Sequence, residues 1–273
     1  MSAANAPERI RFDDISMQFA TAGGRLDVVQ HVSLSIMQGE FVSLVGPSGC
    51  GKTTLMNMVA GFLRPTRGSV TLDGKAIAGP GPDRGVMFQD YGVFPWLSVE
   101  DNVAFGLRLA ANRRSAQERA ATVERYLRLM GLWDFRKAYP KTLSGGMRQR
   151  LALARAYAVN PEFLLMDEPF GALDAQTRSA MHDLLLDVLH AEGKTVLLIT
   201  HSVEEAVYLS TKVVVISARP SRIREVIDIP FAYPRRHELQ DTHEFGALKS
   251  RIYDLVMREY AAQEAQRKPA DYS

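Results

Sequence analysis

The chain has a single cysteine, Cys50, among 273 residues. No disulfide can therefore form within it, and a reducing compartment such as the cytosol suits it. It has no apolar run near the roughly 18 residues that a membrane-spanning helix needs, and the opening MSAANAPERIRF lacks the apolar core of a signal peptide. Any association with a membrane is expected to come through a partner. Neither sign of charge is in excess, since 33 Lys and Arg stand against 31 Asp and Glu for a net charge of +2. That balance gives no general affinity for nucleic acid and argues against it as a partner. Long heptad runs of the coiled-coil kind are also missing. What is there is the composition of an ordinary soluble globular protein, 46% apolar and 23% charged. The length allows one large domain or two small ones.

The stretch GPSGCGKTT carries the most chemistry: Gly46, Pro47, Ser48, Gly49, Cys50, Gly51, Lys52, Thr53 and Thr54. Before it FVSLV reads as a buried strand, and after it TLMNMVAGFL has apolar residues at helical spacing. Strand, glycine loop and helix come in the order of a phosphate-binding loop. Glycines let the backbone approach closely, so successive N–H groups can point at phosphate oxygens, and the helix start adds further donors and its dipole. Lys52 would reach the β- and γ-phosphates of a nucleotide, and the Thr53 hydroxyl would ligate Mg2+. The position of Cys50 inside this loop suggests sensitivity to thiol modification.

Around the loop, short strands are predicted from Arg9 to Ser35, with Val32, Leu34 and Ile36 on one face and TAGGRLD as a turn or loop. Phe19 has two readings, an aromatic on which an adenine ring stacks or a core residue. GSVTLDGKAI reads as a hairpin turning at Asp73 and Gly74. A strand over Arg84–Gln89 follows. The segment DYGVFPWLSVEDNVAFGL places Tyr91, Phe94, Pro95 and Trp96 in irregular chain, either an interface anchor or a satellite core cluster. Ser98 with Asp101 predicts a helix N-cap, and helices are predicted over Val99–Ala111 and Ser115–Met130. This stretch, about 90–160, reads as a helical subdomain.

Two later strands end on titratable groups. In TLSGGMRQRLALARAY, Ser144 can cap a helix whose first residues, Gly145 and Gly146, expose N–H groups, with Arg148 and Arg150 beside them. The choice lies between an anion site and a plain capped helix with a solvated basic face. Next, Phe163–Met166 form an apolar strand ending on Asp167 and Glu168. Ligands of a parallel α/β sheet bind beyond the carboxyl ends of its strands, which puts these acids beside the phosphate loop. One can hold Mg2+ while the other polarises an attacking water. The strand Thr195–Thr200 ends on His201, at the same sheet edge and within reach of a γ-phosphate. Lys212–Ser217 is one more strand, the Pro-rich stretch after it a loose strand and connector, and an amphipathic helix over about Glu244–Glu264 precedes a polar tail.

Together these motifs closely resemble the ATP-binding subunit of an ABC transporter over nearly the whole chain. GPSGCGKTT matches the Walker A motif, Gln89 the Q-loop glutamine, LSGGM the signature, and FLLMDEP Walker B. Gly171, Ala172, Leu173 and Asp174 match the D-loop, and His201 the switch histidine. The resemblance implies an α/β fold with a P-loop NTPase core, an N-terminal antiparallel β-subdomain and an inserted α-helical subdomain. The ATPase domain would span 1–240, with a C-terminal helix and tail over 241–273.

It further implies ATP hydrolysis with Glu168 as general base, assisted by His201 and Gln89, and Mg2+ held by Thr53, Gln89 and Asp167. Two copies would dimerise head to tail, so that Ser144, Gly145, Gly146 and Asp174 of one complete the nucleotide site of the other. The runs MFQDYGVFPWLSVEDNVAFGL and EFGALKSRIYDLV are similar to bacterial importers of nitrate, taurine and aliphatic sulfonates. There the region of Pro95 and Trp96 would meet a membrane-spanning permease, with a periplasmic or lipid-anchored solute-binding protein acting indirectly. The chain would then sit peripherally on the cytoplasmic face of the bacterial inner membrane. Importers of pyrimidine precursors, aromatic acids or bicarbonate are alternatives, as is a soluble ABC ATPase of DNA repair or translation.

Overall fold

The computed structural model describes residues 6–267 apart from 90, 91, 111–113 and 172. The chain opens with β1 (Glu8–Thr21) and β2 (Gly24–Met37), 14 residues each, paired antiparallel from Thr21 with Gly24 back to Glu8 with Met37. The sequence predicted several short strands with TAGGRLD as a loop; instead Leu26 and Asp27 pair with Phe19 and Gln18. The register shifts at four points along the hairpin, and such irregularities break the alternation that marks a strand in sequence. Val32 and Ile36 are fully buried on their shared face.

The buried β3 (Phe41–Val45) leads through the glycine loop into α1 (Lys52–Ala60), which Gly61 ends in the left-handed conformation. Next come β4 (Arg67–Leu72) and β5 (Lys75–Ala76), joined through Asp73 and Gly74 at φ 49° and 72°, the geometry a two-residue hairpin favours. After β6 (Arg84–Met87) lie α2 (Val99–Arg108), α3 (Ala116–Leu129), α4 (Gly145–Ala158), β7 (Phe163–Asp167) and α5 (Ala175–Glu192). The chain closes with β8 (Thr195–Ile199), α6 (Val203–Leu209), β9 (Lys212–Ile216), β10 (Ile223–Asp228) and α7 (His243–Arg267).

Two compact units result. The first joins Met1–Pro80 to Leu189–Ser273 and holds an antiparallel sheet in the order β2-β1-β4-β5. It also holds β8, β3 and β9, mutually parallel, with β10 antiparallel on β9. The residues of β3 and β8 are buried throughout, the continuous apolar pattern of strands covered on both faces. The second unit, Gly81–Val188, contains β6 parallel to β7 and α2, α3 and α4, whose core includes Leu107, Leu127, Leu151 and Tyr157.

The strand expected over Arg84–Gln89 ends at Met87, leaving Gln89 beyond it. Helix α2 is assigned to Arg108; its predicted end at Ala111 lies outside the described residues, as do Tyr91, Ala172 and the tail 268–273. Among the described residues no helix is long and apolar enough to cross a membrane.

Candidate active site

The glycine loop is held by its carbonyl groups. Lys52 Nζ donates to the carbonyl oxygens of Gly46 at 2.8 Å and Pro47 at 2.9 Å. The Ser48 carbonyl accepts from Gln263 Nε2 of α7 at 3.0 Å, and the Gly49 carbonyl from Arg219 Nη2 at 2.5 Å. The Cys50 carbonyl accepts from the Ser221 hydroxyl, and the Gly51 carbonyl from Leu55 N at 3.1 Å in α1. A planar peptide points its N–H away from its C=O, so each of these bonds also fixes the direction of the next residue's amide. Glycine is required at both ends. A Cβ on Gly46 would lie 2.5 Å from the Ile216 carbonyl oxygen, and one on Gly51 2.6 Å from Ser221 Oγ, with φ at 155° and 125°. These are the features of a cradle for phosphate oxygens, with Thr53 and Thr54 in the first turn of α1.

Cys50 corrects an expectation. Its thiol is fully buried, and burial pushes its pKa up against the nearby Lys52 ammonium. A neutral, inaccessible thiol is not a reactive one.

His201 belongs to the same unit and is exposed immediately beyond β8. Its turn is rigid: Thr200 Oγ1 donates to the buried Glu205 carboxylate at 2.6 Å and accepts from Ser202 N at 3.0 Å, while Ser202 Oγ caps α6 by accepting from Glu205 N at 3.2 Å. Phe19 is half-buried in β1 opposite Leu26.

The second unit holds the acids. Asp167 is the last residue of β7, and Glu168, half-buried, follows at φ 47°. That left-handed backbone is rare without glycine and marks a locally constrained position. Asp174 Oδ1 accepts from Thr177 N at 2.9 Å, so it caps the start of α5; this bond holds its carboxyl below the usual range. Ser144 caps α4 as expected, accepting from Met147 N at 3.3 Å, with Gly145 and Gly146 opening the helix. Arg148 and Arg150 each turn one donor to the backbone. Arg148 donates to the Leu143 carbonyl at 2.9 Å and Arg150 to that of Met130 at 3.3 Å. Gln89 is exposed past β6.

The irregular aromatic segment is also built rather than loose. Asn102 is 1% exposed and donates through Nδ2 to the carbonyls of Phe94, Leu97 and Ser98 at 3.0, 3.1 and 3.0 Å. Its Oδ1 accepts from Phe94 N at 2.8 Å. Arg155 stacks its guanidinium 4.3 Å over the Phe94 ring and donates to the Gly92 carbonyl. Burial lowers its pKa to about 10. On this platform Trp96 is 70% exposed and Pro95 is exposed beside it. Ser98 Oγ both donates to the Asp101 carboxylate at 2.7 Å and accepts from Asp101 N at 3.1 Å, the predicted cap.

A family model described as "ABC transporter" matches residues 29–171. The chain belongs to the ABC transporter family. The nitrate import ATP-binding protein of Synechococcus elongatus is 42% identical to it over 92% of this chain and 93% of its own. The taurine import ATP-binding protein of Pseudomonas aeruginosa is 46% identical over 90% of this chain and 95% of its own. The solved ATP-binding cassette MJ0796, dimeric in a post-hydrolysis state with ADP and Pi, matches with a TM-score of 0.72 at 28% identity, covering 82% of this chain and 100% of that chain. The chain is therefore the ATP-binding subunit of an ABC transporter and an ATPase cassette. Its fold is α/β, with a P-loop NTPase core, the antiparallel β-subdomain of β1, β2, β4 and β5, and the helical subdomain of α2, α3 and α4.

The sequence does not mark the residues that hold the glycine loop in place. Arg219, Ser221 and Gln263 at the phosphate loop are 170, 171 and 215 positions from their partners, and nothing local marks them. Asn102 carried a signal, an amide on the buried face of an otherwise amphipathic helix.

Proposed function

We propose that this subunit hydrolyses ATP to drive a bacterial importer of a small solute, with nitrate, taurine or an aliphatic sulfonate as the candidates. It would work as a head-to-tail homodimer docked through Pro95 and Trp96 on membrane-spanning permease subunits, at the cytoplasmic face of the plasma membrane. A periplasmic or lipid-anchored protein would deliver the solute. The names of the nitrate and taurine relatives support the solute class, and the dimeric cassette supports the pairing.

Lys52 and the amides of the glycine loop hold the phosphates, and Ser144, Gly145 and Gly146 of the opposite copy complete the cage. Glu168 accepts a proton from water as the water oxygen bonds to the γ-phosphorus and the bond to the bridging oxygen breaks, leaving ADP and phosphate. His201 contacts the γ-phosphate, and Gln89 orients the water. Thr53, Gln89 and Asp167 provide a hydroxyl, an amide oxygen and a carboxylate, a sparse set of hard oxygen donors of the kind that suits Mg2+. Bound there, the ion would offset phosphate charge.

The observation that carries the transport reading is Trp96, 70% exposed on a loop that Asn102 fixes at four points. A large apolar ring held out into solvent on a rigid mount is an anchor for another protein. The test is to pull a tagged Glu168→Gln variant from detergent-solubilised native membranes with ATP present and identify its companions by mass spectrometry. Recovery of a multispanning protein is expected, and adding Trp96→Ala should reduce it. Recovery of soluble or nucleic-acid-bound companions alone would contradict transport.

A further inference from the structure

Helix α7 reaches the phosphate loop through two residues one turn apart. Gln263 Nε2 donates to the Ser48 carbonyl at 3.0 Å. Four residues earlier on the same helix face, Glu259 is buried and accepts through Oε2 from Ala218 N at 3.0 Å and through Oε1 from Arg224 Nε at 2.5 Å. The segment that Glu259 grips, Ala218 to Arg224, carries Arg219 and Ser221, the donors to the Gly49 and Cys50 carbonyls. Ser217 Oγ closes this segment by accepting from Arg222 N at 2.9 Å. One turn of α7 thus bears directly or indirectly on three successive carbonyls of the loop.

Those carbonyls share rigid planes with the amides of Gly49, Cys50 and Gly51. If the Ser48 carbonyl turns, the Gly49 N–H turns with it. We propose that Gln263 and Glu259 are positioning residues for ATP: α7 sets the direction of the loop amides and thereby the affinity for the nucleotide's phosphates. Binding and helix docking are then reciprocal, so ATP also strengthens the seating of α7 on the loop. A factor acting on the outer face of α7 would change ATP affinity without touching the site. This rests on the reading of Gly46–Thr54 as the ATP cradle.

The test is a direct ATP titration by calorimetry on the full chain, with the melting temperature of each variant measured alongside. Gln263→Leu removes the donor and should raise the Kd for ATP roughly three- to tenfold, the effect of one lost hydrogen bond. Gln263→Lys restores a donor and should recover most of the affinity, while Gln263→Glu, which opposes one acceptor to another, should not. Met257→Ala, an exposed position on the same helix, is the control and should bind as wild type. Melting temperatures should stay within about 2 °C throughout, as surface changes in a chain this size allow. If Gln263→Leu binds as wild type while Lys52→Ala is weakened, the cradle stands and the role of α7 is refuted. Equal weakening by Met257→Ala would reduce the effect to general loosening of the helix and also refute it. Wild-type binding by Lys52→Ala would remove the cradle itself, and the proposal with it.

Discussion

Lys52 Nζ lies 2.8 Å from the carbonyl oxygen of Gly46, so the loop that surrounds this ammonium also solvates it. The side chain is 6% exposed, with a second carbonyl, that of Pro47, at 2.9 Å. A buried cation satisfied by neutral carbonyls contributes little to stability, because desolvation offsets what the bonds return. In the proposed function its use is for an incoming phosphate anion.

Lys52→Met should therefore separate stability from binding. The melting temperature should shift by only a few degrees, since removal of a desolvated charge partly offsets the donor lost to the Gly46 and Pro47 carbonyls. ATP affinity should fall about tenfold or more, as expected for a lost charge-assisted contact. Thermal unfolding with and without ATP measures both: the wild type gains stability from the nucleotide and the variant gains far less.

Cys50 should be protected in the folded protein. Its thiol is buried and its pKa raised, chiefly by burial. In native buffer, alkylation by iodoacetamide should proceed only as fast as the loop opens, and should accelerate steeply in denaturant. Because the folded thiol holds its proton more tightly than the unfolded one, its contribution to stability is full below the ordinary thiol pKa and is lost as the pH rises above it. Cys50→Ala should flatten that alkaline loss, which a series of melting curves across pH would reveal.

Asn102 and Trp96 should behave in opposite ways although they belong to one structure. Asn102→Ala takes the buried amide from the Phe94 N–H and the Leu97 carbonyl, while the Phe94 and Ser98 carbonyls keep their backbone donors, and should lower stability by about 1–3 kcal/mol. Trp96→Ala touches an exposed ring and should change stability by no more than about 0.5 kcal/mol, yet weaken capture of the membrane partner. Urea unfolding and co-purification, run on both variants, check the contrast.

The sequence disclosed the parts whose causes are local. The strand, glycine loop and helix around Lys52, the turn at Asp73 and Gly74, and the caps at Ser98 and Ser144 each depend on a few adjacent residues. The long β1 and β2 hairpin was legible only in fragments, because its register shifts interrupt the alternation. The engagement of Arg148 and Arg150 with carbonyls was hidden for another reason: a run of basic residues looks the same whether it faces solvent or backbone. Most obscure were the donors to the phosphate loop. Arg219, Ser221 and Gln263 acquire their meaning from tertiary placement, which hydrophobic period and turn chemistry do not encode.

In the proposed mechanism ATP sits between two copies of the chain, and Glu168 opens the pair by hydrolysing it. The most direct measurement is the mass of Glu168→Gln in solution, by light scattering after size exclusion, with and without Mg-ATP. The variant should be a dimer with the nucleotide and a monomer without it, and should release almost no phosphate. A variant that binds ATP yet stays monomeric, or that releases phosphate at the wild-type rate, would contradict it.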